Sequence, residues 1–89
     1  MADKTLHIVN EKGLHARASA RFVEVVEAHD AQAQVSKDGM TVSGDSIMGL
    51  LMLAASRGTS IEVRTTGADA DPLAEALCAL VANRFGEDY

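Results

Sequence analysis

The order of hydrophobic periodicities along this chain predicts an α+β fold: βαββαβα, one antiparallel sheet of four strands covered on one face by three helices. Three observations carry that expectation. Stretches that alternate at every second residue are interleaved with stretches of helical period, an Asp-Gly pair joins two of the alternating stretches, and every connection is short. No internal repeat, linker or low-complexity segment interrupts the 89 residues, so a single domain over 1–89 is expected.

The first strand is expected over Thr5 to Val9, with Leu6 and Ile8 on one face and Thr5 and His7 on the other. Asn10, Glu11, Lys12 and Gly13 follow as a polar loop. From Ala16 to about Ala28, Phe22, Val23, Val26 and His29 are spaced for one face of an amphipathic helix, with Arg17, Arg21 and Glu24 turned elsewhere. Ala31, Ala33 and Val35 then alternate with Gln32, Gln34 and Ser36. Asp38-Gly39 turns this second strand into a third, Met40 to Ser43, because such a pair accepts the backbone of a two-residue hairpin. Ser46 offers an N-cap to a second helix over about Ile47 to Ser56, with Gly58 as its left-handed C-cap. Ser60 to Thr66 forms the fourth strand, with Ile61 and Val63 inward. Asp71 as N-cap and Pro72 in the first turn start a third helix whose buried stripe is Leu73, Leu77, Leu80 and Val81 and which ends near Gly86. Cys78, beside Leu77 and Leu80, reads as small core filler.

Composition removes several classes of function. A chain of 89 residues has little room for a deep enzyme cleft. One Tyr, two Phe and no Trp leave no ring cluster to stack on bases, and a net charge of −5 opposes binding to a phosphate backbone, so no nucleic-acid partner is expected. No stretch approaches a membrane span, and the start Met-Ala-Asp-Lys-Thr has no signal-peptide pattern. With a lone Cys78 that cannot form an internal disulfide, a cytoplasmic setting is expected. His7, His15 and His29 lack ligand spacing, so no metal or other cofactor is expected, and His7 and His29 read as surface or edge residues.

The first helix carries its charges against its own dipole. Acidic side chains favour a helix N-terminus and basic ones the C-terminus, yet Arg17 and Arg21 lie in the first two turns while Glu24, Glu27 and Asp30 lie at the far end. From Glu11 to Arg21 the chain has three Lys or Arg against one acidic residue. Positive potential beside unpaired backbone N–H groups makes an anion site, and phosphate is its usual guest. His15 stands at the start of this helix, after Gly13, whose tolerance of positive φ lets backbone approach a ligand. With an ordinary pKa of about 6.5, an imidazole is largely neutral near neutral pH, so a ring nitrogen can attack phosphorus and later leave. Arg17 can offer a planar fork of donors to the phosphoryl oxygens. Spacing alone leaves a plainer reading open, with His15 an exposed residue and Arg17 a solvated helix charge.

The second helix adds an independent clue, because Ile47 to Ala55 is apolar all round and a helix on a sheet buries about one face. Ile47, Leu50, Leu51 and Ala54 make one stripe and Met48, Met52 and Ala55 another; the exposed one suits protein docking, unless the helix is buried more deeply. Ser46, at the N-cap, could take a phosphate that the dipole would favour and Asp45 would repel; plain capping is the simpler role.

At Gly13-Leu14-His15-Ala16-Arg17-Ala18 the sequence resembles the active-site motif of the HPr family, histidine phosphocarriers of the phosphoenolpyruvate-dependent phosphotransferase system. Ser46-Ile47-Met48-Gly49, the Leu-rich helix after it, Gly58 and Thr66-Gly67 are similar to family features in register, so the resemblance spans essentially the whole chain. It implies an open-faced β-sandwich, phosphorylation of His15 at Nδ1 by phosphorylated enzyme I with Arg17 assisting, and transfer to a IIA-type protein. It also implies a docking surface that includes Ala20, Ile47, Met48 and Leu51, and places Ser46 at the serine modified by HPr kinase/phosphorylase in some bacteria. The run from Leu50 to Gly58 and the acidic C-terminal end resemble the nitrogen-related or alphaproteobacterial branch. The family motif usually has proline where this chain has Ala18, which restores a backbone donor and loosens the start of the helix. A monomer is expected, since a carrier must free one surface for successive partners. Two other classes stay open on the residues: a docking module regulated through Ser46 with His15 idle, and a sandwich that merely binds an anion.

Overall fold

The computed structural model of the chain describes residues 1–87. Its elements run β1 (Ala2–His7), α1 (Ala16–Glu27), β2 (Gln32–Lys37), β3 (Met40–Ser43), α2 (Ile47–Met52), β4 (Ser60–Thr66) and α3 (Ala70–Ala82), followed by a 3-10 turn at Arg84–Gly86. The sheet is antiparallel throughout, in the order β1-β4-β2-β3. The α+β expectation and its element order therefore hold.

Period-2 patterning places the core. Along β4, Ile61, Val63 and Thr65 are buried while Ser60, Glu62, Arg64 and Thr66 face solvent. Pairing Leu6 with Ile61 and Val35 with Val63 lines the inward side chains up across three strands, against the stripe Phe22, Val23 and Val26 of α1 and Leu73, Leu77 and Val81 of α3. Each fully buried Phe or Leu contributes about 1.5–3 kcal/mol relative to exposure. Lys37 pairs with Met40 across Asp38 and Gly39, both at positive φ (52° and 85°), as the Asp-Gly signal required.

Several boundaries differ from expectation for physical reasons. The first strand lies earlier, Ala2–His7, although Leu6 and Ile8 point inward as expected. His29 lies beyond α1 rather than on its buried face, half-buried, with Nδ1 donating to the Val25 carbonyl at 2.8 Å. The second helix stops at Met52 instead of Ser56 because Ala54 turns left-handed (φ 51°) and the Ala55 carbonyl accepts from Leu14 N–H at 2.9 Å. Gly58 consequently belongs to the turn into β4, where its N–H reaches the Ile8 carbonyl at 2.8 Å, and caps no helix. The third helix begins at Ala70, not after Asp71. Its N-cap Asp69 spends its carboxylate on the Asp30 N–H at 2.8 Å, which pins the end of α1 to the start of α3. Pro72 still falls in the first turn, where no N–H is needed. That helix ends at Ala82, and Arg84 and Phe85, both left-handed (φ 54° and 56°), redirect the chain so that Phe85 is fully buried. Leu80 and Cys78 are half-buried at the edge of the core, not inside it.

Candidate functional site

The loop before α1 is held by its backbone. Gly13 adopts φ +66°, and a Cβ there would lie 2.5 Å from the Ala55 carbonyl oxygen, so only glycine fits without displacing the chain after α2. Gly13 N–H donates to the Asn10 carbonyl at 3.2 Å and Leu14 N–H to Ala55 at 2.9 Å. His15 thereby becomes the N-cap of α1 in extended conformation, and its carbonyl takes the first helical hydrogen bond, from Ser19 N–H at 2.8 Å.

The cap is an imidazole in place of the more usual hydroxyl or carboxylate. Nδ1 accepts from the backbone N–H of Arg17 at 3.3 Å, with the side chain 26% exposed. Nε2 lies 2.6 Å from Oε2 of Glu87, a carboxylate 6% exposed. Burial pushes the Glu87 carboxyl up, but hydrogen bonds from Asn10 and His15, the charge His15 carries when protonated, and the charge of Lys12 outweigh it, holding the group below the usual carboxylate range. An ionised carboxylate only accepts, so Nε2 carries the proton and Nδ1 the free lone pair. Asn10, fully buried, donates from Nδ2 to both the Gly13 carbonyl (2.8 Å) and Glu87 Oε1 (2.9 Å), and its Oδ1 is buried without a partner.

The first turn of α1 has no acidic residue, as the charge pattern predicted. Arg17 is exposed, and it is the backbone of this residue, not the guanidinium, that meets Nδ1 here. Ala18 is fully buried at the third helical position, in the first turn, where the backbone N–H has no intrahelical acceptor and none is lost to a proline. Ala20 is half-buried rather than exposed.

A second helix N-terminus lies apart from this network. Ser46 Oγ caps α2 by accepting from Gly49 N–H at 3.0 Å, and Asp45 accepts from Ser43 Oγ at 2.5 Å. The expected division of α2 into two stripes fails because the helix is only six residues long. Leu50, Leu53 and Ala55 are buried, Leu51 is half-buried, and Ile47, Met48, Met52 and Ala54 are exposed, Met48 at 70% and Met52 at 64%. The exposed apolar surface therefore draws on both predicted stripes.

His7 is exposed, its Nδ1 2.8 Å from Ser60 Oγ. Among the described residues no three His, Cys, Asp or Glu side chains gather to hold a metal ion, and no helix is long and apolar enough to cross a membrane. A surface groove on the helix-free face of the sheet, between Lys4, Gln34, Ser36, Glu62 and Arg64, shares no residue with the His15 site.

Sequence reasoning singled out His15, Gly13 and the charge pattern; the structure adds Asn10 and Glu87 to the same network. Asn10 read as loop polarity, and Glu87 lies 72 residues from His15 behind two left-handed non-glycine residues. One signal was available: an Asn three residues before Gly13 in a loop that must close on itself.

The family profile described as "PTS HPr component phosphorylation site" matches residues 2–83. The phosphocarrier protein HPr of Cupriavidus necator is 42% identical over 87 residues, 98% of each chain, and that of Neisseria meningitidis serogroup A is 44% identical over the same share. The phosphocarrier protein NPr of Shewanella violacea is 35% identical, covering 96% of this chain and 93% of its own. Among solved structures, HPr-C-His from Thermoanaerobacter tengcongensis superposes with a TM-score of 0.94 at 36% identity over the whole of both chains. A structure described as an HPr dimer from the same organism gives 0.77 at 37% identity, covering 98% of this chain and all of that one.

Proposed function

The chain belongs to the HPr family of phosphotransferase-system phosphocarriers, and from that premise we propose that His15 accepts a phosphoryl group on Nδ1 from phosphorylated enzyme I and donates it to a IIA-type protein. The observation that carries this reading is the position of Nδ1, at the N-cap of a twelve-residue helix and facing the Arg17 N–H at 3.3 Å. Nδ1 attacks phosphorus, the bond from phosphorus to the donor nitrogen breaks, and the electron pair returns to the donor ring. The new phosphoryl oxygens then meet the first N–H groups of α1 and the positive end of its dipole. Arg17, exposed, swings its guanidinium onto the same oxygens. Delivery to the acceptor reverses the step, with Nδ1 as leaving group.

Docking of both partners falls to the surface around His15, including Ala20 and the exposed side of α2 at Ile47, Met48 and Leu51, in the cytoplasm and with the chain as a monomer. Met48 and Met52, unbranched and exposed, suit a surface that must fit more than one partner. Ser46 is a conditional second phosphosite. Its Oγ stands at a helix N-terminus, but Asp45 beside it opposes added charge, so the modification would depend on a dedicated kinase such as HPr kinase/phosphorylase.

Incubation with enzyme I and labelled phosphoenolpyruvate tests the reading. Acid-labile, base-stable label is expected on the wild type and none on His15→Ala; label that persists in His15→Ala, or is acid-stable, would reject it in favour of Ser46.

A further inference from the structure

We infer that Glu87 is a positioning residue for phosphoryl transfer: clamped by Asn10, its carboxylate holds the His15 proton on Nε2 and presents the lone pair of Nδ1 to the incoming phosphorus. The inference rests on the phosphocarrier reading above and adds to it a residue from the far end of the chain.

Three observations converge on it. The His15 Nε2 to Glu87 Oε2 contact is 2.6 Å, at the short edge of the roughly 2.7–2.9 Å range of charge-assisted N–H···O bonds, and the carboxylate is 6% exposed. The other oxygen, Oε1, is held at 2.9 Å by Asn10 Nδ2, which also holds the Gly13 carbonyl at 2.8 Å. One buried amide thus fixes the carboxylate to the loop that carries His15. Asn10 spends both amide hydrogens on these acceptors and leaves Oδ1 buried without a partner; turning the amide over would satisfy neither acceptor. Behind Glu87, the fully buried Phe85 anchors the tail, and Gly86 and Glu87 N–H groups close the turn on Asn83 and Arg84 carbonyls at 3.0 and 2.9 Å.

The consequence for the reaction follows from charge. When Nδ1 bonds to phosphorus with the proton kept on Nε2, the ring becomes an imidazolium, and a carboxylate on the far nitrogen stabilises it. On delivery the Nδ1–phosphorus bond breaks, its electron pair returns to Nδ1, and the ring leaves as neutral imidazole rather than imidazolate. No proton has to move in either direction.

Proton NMR of the full-length chain, which needs no partner, is combined with steady-state transfer from phosphorylated enzyme I for wild type, Glu87→Gln and Glu87→Ala. The expected result is a low-field, slowly exchanging Nε2–H signal of His15 in the wild type that is lost in Glu87→Ala. Both variants should lower kcat about 10-fold, the low end of the loss when the carboxylate behind a metal-ligating imidazole is removed, with KM for enzyme I little changed. Absence of the signal in the wild type, or unchanged kcat in both variants while the wild type is labelled on His15, would overturn the inference. A wild type that takes no label would instead remove the phosphocarrier reading and this role with it.

Discussion

The N-termini of α1 and α2 are both capped by a side chain that accepts a backbone N–H, yet they are built for different work. His15 caps α1 from inside a buried network of Gly13, Asn10 and Glu87, beside Arg17 and with no acid in the first turn. Ser46 caps α2 through one hydrogen bond to Gly49, beside Asp45, on a helix half as long whose Ile47, Met48 and Met52 are exposed. One end holds both ring nitrogens of an imidazole in place. The other leaves an apolar surface exposed, and a backbone tie between the two regions runs from the loop before α1 to the chain after α2, where the Ala55 carbonyl takes the Leu14 N–H at 2.9 Å. The lesson is that a helix N-terminus becomes a chemical site through what stands behind its cap.

Breaking the buried network should have the largest effect. Gly13→Ala meets both a left-handed backbone and a Cβ 2.5 Å from the Ala55 oxygen, so a loss of about 3 kcal/mol is expected in urea unfolding, with transfer impaired in the protein that remains folded. Arg17→Ala is expected to slow transfer about 100-fold, the effect of losing one preorganised donor to a developing anion, while the unfolding midpoint stays in place because the side chain is exposed. A rate unchanged in this variant would mean that the backbone N–H groups of α1 suffice.

The α2 end should be softer. Ser46→Ala removes the Gly49 acceptor and should cost about 1 kcal/mol by denaturant unfolding, with the labelling of His15 intact. Loss of labelling in that variant would show that the two ends are not separable.

The smallest effect is one of pH. Glu87 is held below its ordinary range when folded, so its contribution is fully present above the unfolded carboxylate value of about 4.3 and is lost as pH falls through the lower folded value. The groups facing it are His15 and Lys12, which supply positive charge, and Asn10, which supplies none. Comparing wild type with Glu87→Gln, the stability difference should shrink below about pH 4 and be constant above it; a difference that grows on acidification would contradict the sign.

Patterns of period two and of helical period made the element order legible, and Asp38-Gly39 located the hairpin, because each depends on neighbours in sequence. Attention fell on His15 for a related reason: the reversed charges at Arg17, Arg21, Glu24 and Glu27 are a local signal. What escaped was set by tertiary contacts. The end of α2 depends on the Ala55 carbonyl being claimed by Leu14, the start of α3 on Asp69 being claimed by Asp30, and Glu87 on the left-handed pair Arg84 and Phe85, which no propensity favours. Ala54 was placed in one stripe with Leu50 by helical spacing that ceases at Met52.

Phosphorus–nitrogen correlation NMR of the chain after phosphorylation by enzyme I tests the central claim most directly. The account predicts one phosphoramidate, with phosphorus coupled to Nδ1 of His15 and the proton retained on Nε2. Phosphorus coupled to Nε2, or found on Ser46 oxygen with His15 unmodified, would contradict it.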